Sequence, residues 1–180
     1  MVYILLAPGF EEMEALVPAD LLRRAGLEVA LTTVGPALVP GGHNITVQAD
    51  LTLDQITLKA GDMVVLPGGG AGVENLAACP GVETLVRRAA ADELVWLAAI
   101  CAAPTLLAQW GLLHGKRAVC YPGLEPRLGD AQPQDFSVVE AGTIITGRAA
   151  GSAFDFGLKL VSVLSNTEKS EEIRHGICYY

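Results

Sequence analysis

Short apolar runs of strand length alternate with amphipathic helical segments along this 180-residue chain, and few architectures accommodate that order. A strand that is apolar throughout must be covered on both faces. The alternation therefore predicts a mostly parallel central sheet with helices packed on either side. Val2 to Ala7 reads as the first strand, broken by Pro8 and Gly9. Glu11 to Ala25 follows as a helix, with acidic residues in its first turn to suit the dipole and Gly26 as its stop. Leu27 to Val34, Met63 to Leu66 and Leu94 to Ile100 continue the strand series. Val73 to Ala78, Val82 to Ala91 and Ala153 to Leu164 read as helices, the last with Phe154, Leu158, Val161 and Leu164 at helical spacing. Pro36 to Asn44 is turn-rich, and Ile45 to Leu51 reads as a short strand or hairpin. Arg117 to Tyr121, Phe136 to Glu140 and Thr143 to Thr146 are further strand candidates, with short helices expected at Gly123 to Leu128 and Thr167 to Arg174. No repeat, low-complexity tract or linker interrupts the series, so one domain over residues 1–180 is expected.

Composition narrows the function classes. A formal charge of −8, with the 12 basic residues scattered rather than clustered, argues against a nucleic-acid-binding surface. The N-terminal MVYILLAPGFEE lacks a basic n-region and reads as a strand rather than a signal peptide, and no apolar stretch reaches transmembrane length. Cys79, Cys101, Cys120 and Cys178 lie far apart with no C-x-x-C spacing, as expected of reduced thiols in a cytoplasmic protein. His43, His114 and His175 fall in no ligand spacing, and LPGGGAG lacks the Lys-Ser or Lys-Thr of a P-loop. No metal site and no cofactor are expected.

In sheets of this kind ligands bind outside the carboxyl ends of the strands, and three strand ends carry distinctive loops. After Ile100, Cys101 stands where a buried strand gives way to a helix expected from Ala102 onward. The small residues Ala99, Ala102 and Ala103 allow the sharp bend of a nucleophile elbow. Backbone N–H groups and the helix dipole there should favour a thiolate; the alternative is a small buried hydrophobe. After Ala7, Glu14 is flanked by Met13, Ala15, Leu16 and Val17, a setting that would raise its pKa, whereas Glu11 and Glu12 are expected at the surface. After Leu66, Gly68 to Gly70 either offer N–H groups to an oxyanion or form a plain turn. Cys79, Cys120 and Cys178 have structural settings.

The segments LAPGFEEMEA, RRAG, VVLPGGGAGVENL, AAICAAPTLLA and GSAFDFGLKLV resemble, in this order, the ThiJ/PfpI superfamily, and within it the branch of the Parkinsonism-associated protein deglycase and bacterial YajL. The resemblance implies a flavodoxin-like three-layer sandwich, a homodimer, a reactive Cys101, a protonated Glu14 and backbone contacts from Gly69 and Ala102. It implies a cysteine-dependent deglycase or glyoxalase acting on small dicarbonyls or glycated amines and thiols, with oxidative-stress protection. The alternative is a redox-sensing chaperone whose cysteine is oxidised to sulfinate. The protease branch has a histidine where Ala102 stands, and amidotransferases need a distal H-x-E absent here, so neither activity is expected. Tyr121 occupies a position that is aromatic in bacterial relatives and is a candidate to line the pocket. The rim departs from the family in two places. Gly42 to Asn44 contains no arginine, and GRAAGS at Gly147 to Ser152 replaces a glycine-proline-glycine-threonine run.

Overall fold

The computed structural model describes residues 1–180. In chain order its elements are β1 (Val2–Leu6), α1 (Glu12–Arg24), β2 (Val29–Thr33), β3 (Leu38–Pro40), β4 (Thr46–Gln48), β5 (Leu51–Thr52), β6 (Met63–Leu66), α2 (Gly70–Ala77), α3 (Pro80–Ala90) and β7 (Trp96–Ile100). They continue with α4 (Pro104–Gln109), β8 (Arg117–Ala118), β9 (Gln132–Pro133), β10 (Val138–Ala141), β11 (Ile144–Gly147), α5 (Ala153–Leu164) and α6 (Thr167–Gly176). Seven strands form the main sheet in the order β10-β11-β7-β6-β1-β2-β5. Every pair is parallel except β10 with β11.

The near-continuous apolar strands follow from this topology, because alternate side chains feed two separate cores. Tyr3, Leu5, Val64, Leu66, Leu97 and Ala99 join one core with residues of α2, α3 and α4. Ile4, Leu6, Met63, Val65, Ala98 and Ile100 join the other with α1 and α5. Each fully buried aliphatic side chain contributes about 1.5–3 kcal/mol, so the central strands are the rigid frame. Helices α1 and α5 approach closely at Gly157, where a methyl group would lie 2.7 Å from Leu21 and 3.0 Å from Pro18.

The main parallel strands β1, β2, β6, β7 and β11 stand in the spatial order second-first-third-fourth-fifth, the flavodoxin-like arrangement. Connections diverge between β1 and β6, and a crevice opens there at the strands' carboxyl ends. The loops after β1, β6 and β7 meet at this end of the sheet.

Three local expectations change. Pro36 to Asn44 is not turn throughout: it contains β3, which pairs with β4 in a separate antiparallel ribbon, so of the strand or hairpin expected at Ile45 to Leu51 the hairpin forms, with its first strand further upstream. Of Arg117 to Tyr121 only Arg117–Ala118 is a strand, paired with β9 outside the main sheet. The residues beyond it are held otherwise, Val119 N–H by Thr146 Oγ1 at 3.0 Å and Tyr121 N–H by the Cys101 carbonyl at 2.8 Å. The helix after Cys101 starts at Pro104 rather than Ala102, since proline has no N–H to give and its fixed φ suits a first helical position.

Candidate functional site

Cys101 follows the last residue of β7 and takes φ +66°. A side chain in this left-handed region costs on the order of 1–3 kcal/mol, so the surroundings must impose it. Its N–H donates to the Gly147 carbonyl at 3.0 Å, extending the β7–β11 ladder by one residue, and its carbonyl accepts from Tyr121 N–H at 2.8 Å. The chain reverses through Ala103 N–H to the Ile100 carbonyl, 3.1 Å, and Thr105 Oγ1 closes on the Ala102 carbonyl at 2.7 Å. This is the elbow that the alanines around Cys101 suggested.

Glu14 enters from the first turn of α1 and is completely buried. Its Oε2 accepts the Gly68 N–H at 2.8 Å, while Oε1 is buried with no hydrogen-bond partner. Pro18, one turn on, lacks the N–H that would meet the Glu14 carbonyl in a regular helix. Gly68 separates Glu14 from the cysteine: a methyl group there would come 2.5 Å from Glu14 Oε2, 2.6 Å from Cys101 Cβ and 3.1 Å from Sγ. Its missing side chain is what lets the two groups meet. Gly69, with φ +90°, lies against the first loop so closely that a methyl group would sit 2.7 Å from Glu11 N. Glu11 N–H donates to the Gly68 carbonyl at 3.0 Å, and Gly72 N–H to the Gly9 carbonyl at 3.1 Å. The loops after β1 and β6 are thus one backbone-bonded unit.

The electrostatics reverse one expectation. Burial pushes Glu14 up to about 7, against the hydrogen bonding of Cys101 and Gly68, with Glu11 adding to the rise. Cys101 is not lowered but pushed up to about 12, first by burial and then by the charge and hydrogen bonding of Glu14, which outweigh the N–H groups of Ala102 and Gly69. Helix α4 has only six residues, so its dipole is too short to compensate. The two values describe a coupled pair: the first proton leaves near 7, the second near 12. Between those limits one proton is shared by a carboxyl and a thiol. An ionised Glu14 would bury Oε1 without a donor, which is costly, and an ionised Cys101 would meet the N–H groups of Gly69 and Ala102.

Glu11 and Glu12 are not both surface groups. Glu12 is only 4% exposed, because its Oε1 accepts from His43 N–H at 2.7 Å and Ile45 N–H at 3.4 Å, and Oε2 meets His43 Nδ1 at 3.0 Å. Burial raises this carboxyl, but the hydrogen bonds from His43, the backbone of Glu12 and Ile45 outweigh it and hold it below the ordinary range. Glu11, Glu12 and His43 bring potential metal-ligating atoms within 4.8 Å of one another, a grouping that no spacing in the sequence revealed. The Glu12 and His43 atoms are already committed to each other.

Tyr121 reaches the site through its backbone: the ring is half exposed, and its N–H rather than its hydroxyl contacts Cys101. Gly147, within the GRAAGS segment, supplies the carbonyl that anchors the elbow. Its position opposite Ile100 in β11 is the signal that could have marked it. Cys120 is buried, Cys178 is exposed and Cys79 is intermediate. Cys120 lies just beyond β8 rather than within it.

The sequence profile of the DJ-1/PfpI family matches residues 1–163. The chain belongs to the DJ-1/PfpI family. It is 37% identical to Drosophila melanogaster protein dj-1beta over 177 residues, covering 97% of this chain and 94% of that protein. It is 31% identical to a Caenorhabditis elegans glutathione-independent glyoxalase, DJR-1.2, over 97% of this chain and 94% of the relative. Among solved structures, a cysteine-to-alanine mutant of a DJ-1 superfamily protein from Salmonella typhimurium superposes with a TM-score of 0.93 at 38% identity, covering 99% of this chain and 98% of that one. Drosophila melanogaster DJ-1beta superposes with a TM-score of 0.94 at 36% identity, over 99% and 97%. The DJ-1/PfpI membership and the flavodoxin-like sandwich agree with the reading of the motifs. No helix is long and apolar enough to cross a membrane.

Proposed function

We propose that this DJ-1/PfpI protein is a cysteine-dependent glyoxalase or deglycase acting on methylglyoxal, glyoxal and their adducts on amines and thiols, with Cys101 as nucleophile and Glu14 as its acid–base partner. The observation that carries the reading is the buried Glu14 carboxyl with one oxygen unpartnered, set across a glycine from Cys101. A carboxyl held near 7 can give and take a proton at neutral pH. The glyoxalase naming of the nematode relative supports the same direction.

In this mechanism the Cys101 sulfur, stabilised as an anion by the Gly69 and Ala102 N–H groups, adds to the aldehyde carbon, and Glu14 delivers a proton to the new alkoxide. With methylglyoxal, the carboxylate then removes the C1 hydrogen of the hemithioacetal and returns it to C2 through an enediol. The C1 hydroxyl proton passes to the C2 oxygen, and Glu14, left as a carboxylate, regains its proton from the water that hydrolyses the thioester. C1 is oxidised as C2 is reduced, so no outside oxidant is needed, and water hydrolyses the resulting thioester to lactate and free thiol. With an adduct, the Cys101 sulfur bonds to the hemiaminal or hemithioacetal carbon as the bond from that carbon to the amine or thiol breaks, Glu14 gives the departing group its proton, and the same hemithioacetal on Cys101 remains.

The test follows lactate release and adduct loss in the wild type, Cys101→Ser and Glu14→Ala, with controls for buffer and free thiol. Cys101→Ser is expected to fall to background. Equal rates in wild type and Cys101→Ser would overturn the reading. A second reading is favoured by the same orphan oxygen: a protonated Oε1 could donate to a sulfinate oxygen, making Cys101 a peroxide sensor in a redox-regulated chaperone. Mild peroxide should then add two oxygens at Cys101 before Cys79, Cys120 or Cys178, and uniform oxidation counts against it.

We also assign a homodimer, supported by the exposed Met13 and Ile45 flanking the loop that Glu12 binds; sedimentation equilibrium at the monomer mass would refute it. Four free cysteines suit the cytoplasm.

A further inference from the structure

Thr146 places a hydroxyl in an otherwise apolar strand. It follows Ile144 and Ile145 in β11, is 1% exposed, and stands between Val139 of β10 and Ala99 of β7. A buried hydroxyl needs a hydrogen-bond partner, and the partner here is a main-chain group: Thr146 Oγ1 accepts the Val119 N–H at 3.0 Å. Beyond Ala118, where β8 ends, the chain runs to Tyr121 outside any strand. A cavity of about 400 Å³, lined in part by Val119, Cys120 and Arg148, lies against this stretch, so its packing is incomplete and its hydrogen bonds carry more of its support.

The bond from Val119 closes a ring. Val119 leads through Cys120 to Tyr121, Tyr121 N–H donates to the Cys101 carbonyl at 2.8 Å, Cys101 N–H donates to the Gly147 carbonyl at 3.0 Å, and Gly147 is the covalent neighbour of Thr146. The peptide joining Cys101 to Ala102 is thereby held at its oxygen. A trans peptide points its carbonyl and its N–H in opposite directions. Holding the Cys101 carbonyl toward Tyr121 therefore turns the Ala102 N–H the other way, to the side on which it meets the sulfur.

We infer that Thr146 is a positioning residue for the Cys101 site, whose hydroxyl, acting through Val119 and Tyr121, holds the Ala102 N–H on the sulfur. The inference rests on Cys101 being the reacting atom, and it extends the site to a strand residue whose side chain bonds neither Cys101 nor Glu14.

Alkylation tests this without requiring turnover. The full chain is treated with iodoacetamide across the neutral and alkaline range, and Cys101 is followed by peptide mass spectrometry. Thr146→Val removes the hydroxyl at nearly constant shape, and Thr146→Ser keeps it. Weakening a hydrogen bond to a charged sulfur should slow Thr146→Val about fivefold at neutral pH and move its profile to higher pH, whereas Thr146→Ser should follow the wild type. Glu14, the titratable group that meets Cys101, is the same in all three proteins, so it does not produce the difference. A Thr146→Val profile that coincides with the wild type, or a Thr146→Ser profile displaced as far as that of Thr146→Val, overturns the inference. If Thr146→Val does not fold, amide hydrogen exchange in the wild type decides: the Val119, Tyr121 and Cys101 amides are expected to open together, and exchange at Val119 or Tyr121 more than about tenfold faster than at Cys101 overturns it as well. Failure of the lactate assay with the alkylation shift intact would instead refute the proposed activity alone.

Discussion

Glu12 and Glu14 stand two positions apart in the first turn of α1, both buried, and their titrations move in opposite directions. Glu12 points to the β3–β4 ribbon and collects donors on both oxygens. Glu14 points to the crevice and receives one N–H, with its second oxygen unpartnered. Burial opposes ionisation in each case, so the number of donors decides the outcome. One carboxylate is a structural clamp; the other is a held proton.

The sharpest way to break this contrast is Glu14→Gln, which keeps the shape and removes the transferable proton. Lactate formation should fall by about 10²–10⁴-fold, and retention of more than half the rate would remove Glu14 from the chemistry.

The same variant separates the residues by stability. The folded-state pKa of Glu14 lies above its unfolded value, so its contribution declines as pH rises from 4.5 to about 7. Above that range the charge buried in the Glu14–Cys101 pair costs on the order of 3 kcal/mol. Glu14→Gln should therefore be more stable than wild type at pH 8 and nearly equal below pH 4.5, measured by urea unfolding.

Glu12→Gln should behave oppositely. The lowered pKa of Glu12 means that it stabilises the fold above its unfolded pKa and loses that contribution as pH falls through the folded value. A loss of about 1.5–3 kcal/mol is expected at pH 7, reflecting hydrogen bonds to a charged acceptor, and little loss in acid. The smallest effect belongs to His43→Ala, which should cost less than Glu12→Gln because the imidazole is exposed and solvent screens its pairing with Glu12. A larger loss there would mean that the ribbon depends on the imidazole rather than on the backbone donors.

Much of the fold was legible because local signals agreed with it. The apolar strands Val2 to Ala7 and Met63 to Leu66, and the stripe on Ala153 to Leu164, each followed from periodicity alone. The elbow was legible because small residues surround Cys101 at a strand end. Burial of Glu12 was not, since its donors His43 and Ile45 come from some thirty residues away, and nothing near Glu12 announces them. The thiol's raised pKa was hidden for a similar reason. The sequence displays the N–H groups near Cys101 but not the depth of burial or the carboxyl across Gly68. The ribbon at residues 38–48 and the early end of β8 are tertiary outcomes, fixed by partners on other elements.

The left-handed backbone at Cys101 has a consequence for how this scaffold can vary. Cysteine has one rotatable side-chain bond before its sulfur, and the main chain is pinned on one side by Gly147 and on the other by Tyr121. The Cys101 sulfur is therefore addressed by the sheet through its main chain. Loop residues that do not touch Cys101, unlike Gly68, can therefore be exchanged without displacing the sulfur, so one frame can be retuned around the proposed nucleophile.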